Sequence, residues 1–276
     1  MTISPDQTYR MIALDVDGTI ATSDHEIPAA IIEAIHAAMA AGVIVSLVTG
    51  RMRRSALRYA EICGANGPTV SYQGGIITAP DFITDTHAER LPVSLAASSL
   101  EHMRKARAHI NCYLNDEIYV ENRSDWAVAY AGRMKADLHV VDTLDRIIDA
   151  GPTIVMAVDE PVLITELAGT LRSTLGVEAA VTQSLPHFCE VASVNATKAT
   201  GLSRVCDQYG ISSSEVIAIG DGEGDVSMIK WAGLGIAAGE AHPVASSSAD
   251  LRIAGPDQNG VADFIQMLLS QGKLGG

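Results

Sequence analysis

The sequence predicts an α/β protein, a doubly wound parallel sheet interrupted by an inserted α+β domain. Three observations predict it. Short apolar runs rich in β-branched residues alternate with helical stretches over the first third of the chain, and the same alternation returns near the C-terminus. The middle instead mixes helices with hairpin-like strand pairs. The length of 276 residues suits two domains at roughly 150 residues each. Residues 1–78 and 192–276 are expected to form the core, and 79–191 the insertion.

In chain order, Tyr9 to Leu14 and Val43 to Val48 read as strands buried on both faces. Between them lies a helix with Pro28 suited to its first turn and Ile31, Ile35, Ala38 and Met39 on one face. Gly42 can end it in the left-handed conformation. A helix from about Ser55 to Cys63 and a strand at Thr69 to Tyr72 follow. A short strand near Ile76 leads into the insertion, which holds a helix over Val93 to His109 and a hairpin over Cys112 to Val120 turning at Asn115-Asp116. After these come a helix at Trp126 to Met134, a strand at Ile154 to Val158, a helix over Pro161 to Leu175, and paired strands Val177 to Thr182 and His187 to Val191. The C-terminal part reads as a helix from Lys198, strands at Val216 to Ile219, Leu234 to Ala237 and Leu251 to Ala254, and helices at Val226 to Trp231 and Val261 to Leu269.

The net charge of -14, with no block of Lys or Arg, gives no attraction to a nucleic-acid backbone or an anionic membrane and favours a small ligand. The four cysteines, Cys63, Cys112, Cys189 and Cys206, show no metal or disulfide spacing. Met1 to Arg10 lack an apolar signal segment, and no apolar stretch approaches the roughly 20 residues that span a bilayer. A cytoplasmic protein is expected.

Chemistry-bearing residues gather at strand ends. Asp15-Val16-Asp17-Gly18-Thr19 follows the first apolar run, where two carboxylates so close repel and ask for a positive partner. In a doubly wound sheet, ligands bind beyond the carboxyl ends of the strands. Thr49-Gly50-Arg51 ends the second strand, Lys198 opens a helix, and Asp221-Gly222-Glu223-Gly224-Asp225 follows a later strand.

This set resembles the haloacid-dehalogenase superfamily, whose phosphatases carry Asp-x-Asp-x-Thr, then Thr or Ser, then Lys, then an acidic pair after a strand. The long insertion between Thr49 and Lys198 is similar to the α/β cap of the Cof-type branch on a Rossmann-like core. The resemblance implies Asp15 as a nucleophile forming an aspartyl-phosphate and Asp17 as the acid and base. It implies Mg²⁺ held by the Asp15 carboxylate, the Asp17 carbonyl and Asp221, with Asp225 close by. Thr49, Lys198 and the Gly18 and Gly50 region would hold phosphoryl oxygens, with Arg51, Gln73, Gly74 and Gly224 near the substrate. A small phosphorylated metabolite, sugar-phosphate-like, is the expected substrate. A phosphomutase of the same superfamily and a non-catalytic phospho-accepting module are the alternatives.

A calcium loop starting at Asp15 would require Gly where Ile20 stands. His36, His102, His109 and His139 lack partners at metal spacing and read as surface or packing residues. Two departures from the Cof-type pattern stand out: Gly224 and Gln73 occupy places where Asn is usual, and Gly224 is expected to leave room for substrate.

Overall fold

The computed structural model describes residues 7–183 and 185–275. Met1 to Asp6, part of the polar N-terminal stretch, lie outside them. Among the described residues no helix is long and apolar enough to cross a membrane. Two compact units are present. One takes in the described residues up to Gly50, Ala56–His87 and those from Thr197 onward; the other takes in Arg51–Ser55 and Ala88–Ala196.

The first unit is built on a five-stranded sheet in the order Leu251–Ile253, Leu234–Ala238, Val216–Gly220, Met11–Leu14, Ile44–Leu47, all parallel. Alternate residues serve opposite layers. Ile12, Leu14, Val45, Leu47, Ile217 and Ile219 pack with one helical layer, which includes Ile31 and Ile35 of Ala29–Ala40 and Ile265 of Gly260–Ser270. Met11, Ala13, Val216 and Ala218 pack on the other side against Leu202, Val205 and Met228. From Met11–Leu14 the chain winds one way to Ile44–Leu47, and from Val216–Gly220 it winds the other way. The switch point is the gap between these adjacent strands, the place where such sheets bind ligands.

Local chemistry accounts for the element ends. Ala29–Ala40 buries Ile31, Ala34, Ile35 and Ala38, and Gly42 at φ 90° turns the chain away. Pro28 is the residue before the first helical turn rather than within it, and Met39 is only half-buried. A three-stranded ribbon in the order Thr69–Ser71, Ile76–Thr78, Asp85–Ala88, its first two strands antiparallel, continues from the Val48 to Val70 bridge.

The second unit carries a six-stranded sheet in the order Ala179–Thr182, Phe188–Ser193, Ile154–Val158, His109–Leu114, Glu117–Val120, Leu138–Val140. Every pairing is antiparallel except the last. Val93–Lys105 and Pro161–Leu175 bury Leu100, Met103, Ile164 and Leu171 against Cys112, Val155 and Val191. Asn115 and Asp116, at φ 53° and 63°, make the expected two-residue hairpin turn. The helix from Val93 stops at Lys105 instead of running to His109. Arg107 at φ 58° reverses the chain and His109 already belongs to a strand. The short elements Leu138–Val140, Asp145–Asp149 and Pro243–Ser248 were not predicted.

Candidate active site

The expected strand ends converge at the switch point. Asp15 follows Met11–Leu14, and its N–H donates to the Ile219 carbonyl at 2.9 Å, so the sheet ladder itself sets its position. Its side chain is buried, as are those of Asp225 and Lys198. Lys198 Nζ donates to Asp15 Oδ1 and to Asp225 Oδ1, both at 2.5 Å. Asp15, Asp221 and Asp225 each offer a carboxylate oxygen, and these oxygens lie within 4.8 Å of one another.

Each member is held by its own device. Lys198 is the first residue of Lys198–Tyr209, after Thr197, whose hydroxyl accepts from Thr200 N while Thr200 Oγ1 accepts from Thr197 N. A cation in the first helical turn opposes the helix dipole, so its carboxylate partners must supply the stabilisation. Asp225 Oδ2 accepts from the Asp221 and Gly222 N–H groups at 3.0 and 2.8 Å, leaving Oδ1 for Lys198. A β-carbon at Gly220 would come 2.3 Å from Asp225 Cγ, so only glycine fits there. Gly18 has φ 74°, and a β-carbon on it would meet Asp221 Oδ2 at 2.4 Å. Asp221 therefore lies against the loop that carries Asp15.

Three carboxylates share one ammonium, and the excess negative charge sets the electrostatics. Burial, and then Asp225, raise the Asp15 carboxyl well above the usual range even though Lys198 pulls the other way. Burial followed by Asp225 pushes Asp221 up to about 6, against the hydrogen bond from Thr19. Burial alone would lower the Lys198 ammonium, but Asp15 and Asp225 outweigh it and hold it above its ordinary value. A donor set made only of carboxylate oxygens, carrying uncompensated charge, fits a hard divalent cation such as Mg²⁺.

Asp17 differs from Asp15. Its side chain is half-exposed and its carboxylate is not in the cluster; His25 Nδ1 stands 3.6 Å from its Oδ1. Asp17 sits in a loop closed by Gly18 N to Ala21 O, while three following N–H groups converge on the Val16 carbonyl. Two carboxylates two residues apart thus have opposite environments, one buried beside an ammonium and one open to solvent.

Thr49 is buried, its N–H donating to Val70 O and its carbonyl accepting from Gln73 N. Gly74, at φ 112°, abuts the Thr197 carbonyl so closely that a β-carbon would lie 2.1 Å from the oxygen. The space beside Gly224, expected to be open for substrate, borders Gln73: a β-carbon there would lie 3.0 Å from Gln73 Oε1, and one on Gly50 2.5 Å from Gln73 Nε2. Arg51 belongs to the second unit and donates to Ser55 Oγ at 2.9 Å. His36 and His102 bond backbone carbonyls, and His139 stacks on Tyr119. Two residues near the carboxylates were not singled out in the sequence. Thr19, buried, donates to Asp221 Oδ1 at 3.1 Å, and its signal was the closing Thr of Asp-x-Asp-x-Thr. His25, beside Asp17, carried no sequence signal.

Residues 12–265 match the family model of haloacid dehalogenase-like hydrolases. The chain is 25% identical over 269 residues to 5-amino-6-(5-phospho-D-ribitylamino)uracil phosphatase YitU of Bacillus subtilis, covering 94% of this chain and 97% of that one. It is also 25% identical over 268 residues to pyridoxal phosphate phosphatase YbhA of Escherichia coli, covering 94% and 98%. A crystal structure of a haloacid dehalogenase-like hydrolase from Bacteroides thetaiotaomicron superposes with a TM-score of 0.84 at 29% identity, over 95% of this chain and all of that one. Matched along nearly its whole length, with both acidic loops meeting at one switch point, the chain belongs to the haloacid dehalogenase-like hydrolases, in their Cof-type branch.

Proposed function

We infer that the chain is a Mg²⁺-dependent phosphatase that hydrolyses a small phosphorylated metabolite through an aspartyl-phosphate on Asp15. The observation that carries this reading is the pairing of a buried Asp15, 2.5 Å from Lys198, with a half-exposed Asp17 two residues on. The relatives named as phosphatases support the same reaction class.

Asp15, Asp221 and Asp225 would hold Mg²⁺, with the Asp17 carbonyl as a further donor. When bound, the ion neutralises like charges, so that a carboxylate can approach a phosphate dianion. Lys198 bonds Oδ1 of Asp15 and so orients the carboxylate, leaving Oδ2 to attack phosphorus. As the Asp15–phosphorus bond forms, the bond from phosphorus to the ester oxygen breaks. Asp17 protonates that leaving oxygen, and its half-exposed setting lets it exchange protons with water. In the second half, Asp17 takes a proton from the attacking water, whose oxygen bonds to phosphorus. As that bond forms, the bond from phosphorus to Asp15 breaks, freeing inorganic phosphate and restoring the carboxylate. Thr49, at the neighbouring strand end, and Lys198 would hold phosphoryl oxygens.

The test is phosphate release from a panel of phosphorylated sugars, nucleotides and cofactor precursors, with Mg²⁺ and with excess chelator. Release that requires Mg²⁺ and disappears in Asp15→Asn is expected. Full release in chelator, or transfer of the phosphoryl group between substrate positions without net phosphate, would overturn the reading.

A further inference from the structure

One polar side chain beside the carboxylate cluster is left unused. Tyr72 and Gln73 have consecutive left-handed backbones, at φ 51° and 59°, and Gly74 follows at 112°. Neither side chain is the short polar kind that tolerates this conformation. The surroundings enforce it. Gln73 N donates to the Thr49 carbonyl at 3.1 Å, Gly75 N to the Tyr72 carbonyl at 3.0 Å, the Tyr72 ring is buried, and Gly74 is pressed against Thr197.

This strained turn delivers the Gln73 amide between Gly50 and Gly224, neighbours in sequence of Thr49 and Asp225. A side chain at either glycine would contend with the amide for space. Yet the amide makes no hydrogen bond among the described residues. Strain and cleared space spent on a group that bonds to nothing in the fold point to a ligand.

We propose that Gln73 is a specificity-determining residue of the phosphatase reaction, its amide hydrogen-bonding a hydroxyl that the substrate carries near its phosphoester, and that Gly224 lacks a side chain in order to admit it. This rests on the phosphatase reading and adds the residue that would read the substrate's hydroxyl. A primary amide both donates and accepts, and so does a hydroxyl; anionic phosphoryl oxygens only accept and would use half of the amide. Sugar and polyol phosphates present such hydroxyls, and simple aryl phosphates do not.

Wild type, Gln73→Ala, Gly224→Asn and the double variant should be assayed with Mg²⁺ on glycerol, ribose and sorbitol phosphates, and on phenyl phosphate as the ester without hydroxyls. Loss of one hydrogen bond predicts that Gln73→Ala raises KM for the best hydroxylated ester about tenfold relative to phenyl phosphate. Gly224→Asn should act in the same direction by displacing the amide. The double variant should be no worse than Gln73→Ala, because the added Asn then meets empty space. Gln73→Gly, which relieves the left-handed strain, should melt no lower than wild type while showing the same KM ratio as Gln73→Ala. Cleavage by wild type with an unchanged KM ratio in Gln73→Ala, or additive effects in the double variant, overturns this assignment alone. Failure of wild type to cleave any ester overturns the phosphatase reading and the assignment with it.

Discussion

Replacing Lys198 with Met tests the central ion cluster, and its magnitude can be worked from charge alone. The Nζ stands 2.5 Å from Asp15 Oδ1 and from Asp225 Oδ1 in a buried setting. Without it, two buried carboxylates face each other, and the cheapest relief is for one to take a proton. Protonating a carboxyl whose unfolded pKa is about 3.9 costs about 4 kcal/mol at pH 7, at 1.36 kcal/mol per unit. That sets the ceiling, and it agrees with the roughly 3–5 kcal/mol lost when one partner of a buried pair is removed. The sign follows from linkage: the folded variant holds a proton that the unfolded chain releases, so its stability falls as pH rises. At pH 5 the same arithmetic leaves about 1.5 kcal/mol. Asp15 is already raised in the wild-type protein, so the difference between the two proteins carries the result. The assay is urea denaturation in chelator from pH 5 to 8, repeated with excess Mg²⁺, which should recover part of the loss by replacing the missing positive charge. A loss of stability independent of pH would mean that Lys198 matters only as packing, and the electrostatic reasoning would fail.

Other consequences follow from the same geometry. Asp15→Asn should abolish steady-state turnover without lowering metal-free stability, because the amide removes both nucleophile and repulsion; retained turnover in a phosphate-release assay would refute it. Asp17→Asn should slow turnover by about 10²- to 10⁴-fold, with little effect on the urea midpoint because the side chain is half-exposed; unchanged single-turnover rates on an ester with a poor leaving group would remove Asp17 from the mechanism. Asp221 is raised to about 6, so metal-free stability should be highest below about pH 4 for this group and fall as pH rises through 6, by at most about 3 kcal/mol. A flat metal-free profile over that window would contradict the shift. Gly220→Ala puts a β-carbon 2.3 Å from Asp225 Cγ, so it should destabilise by about 1–3 kcal/mol and reduce turnover, which thermal melts and kinetics together would check.

Legibility in the sequence tracked how local each determinant is. The strands around Asp15 and Asp221 could be read because both faces of each are buried, which leaves continuous apolar runs ending at a charged loop. Pro161–Leu175 emerged with its predicted ends because Pro161 and Gly176 mark them chemically. Leu138–Val140 carries no such mark; it is three residues long and exists by pairing with Glu117–Val120. The overrun at Lys105 has the same cause, since a helical spacing continues past the residue where Arg107 turns. Within the site, Asp15, Lys198, Asp221 and Asp225, which the fold brings together, were legible in the sequence because their chemistry is conspicuous. The relation between Gln73 and Gly224 was not, since it depends on a left-handed turn and on an amide filling space beside a distant glycine.

The electrostatics of the cluster also bear on why it persists. Asp15 and Asp221 are both raised by burial and by their acidic neighbours, so in the metal-free protein each disfavours the folded state at neutral pH. A fold selected for stability alone could relieve this with one neutral side chain at position 221, where Thr19 already supplies a hydrogen bond that an amide oxygen would accept. Instead the chain builds around the charge. Gly18 and Gly220 give up side chains to seat Asp221 and Asp225, and two backbone N–H groups are turned onto Asp225 Oδ2. Devices that concentrate repulsion stabilise the protein only if a cation binds the folded state and not the unfolded one. The destabilising arrangement is therefore itself an argument for a metal-dependent site.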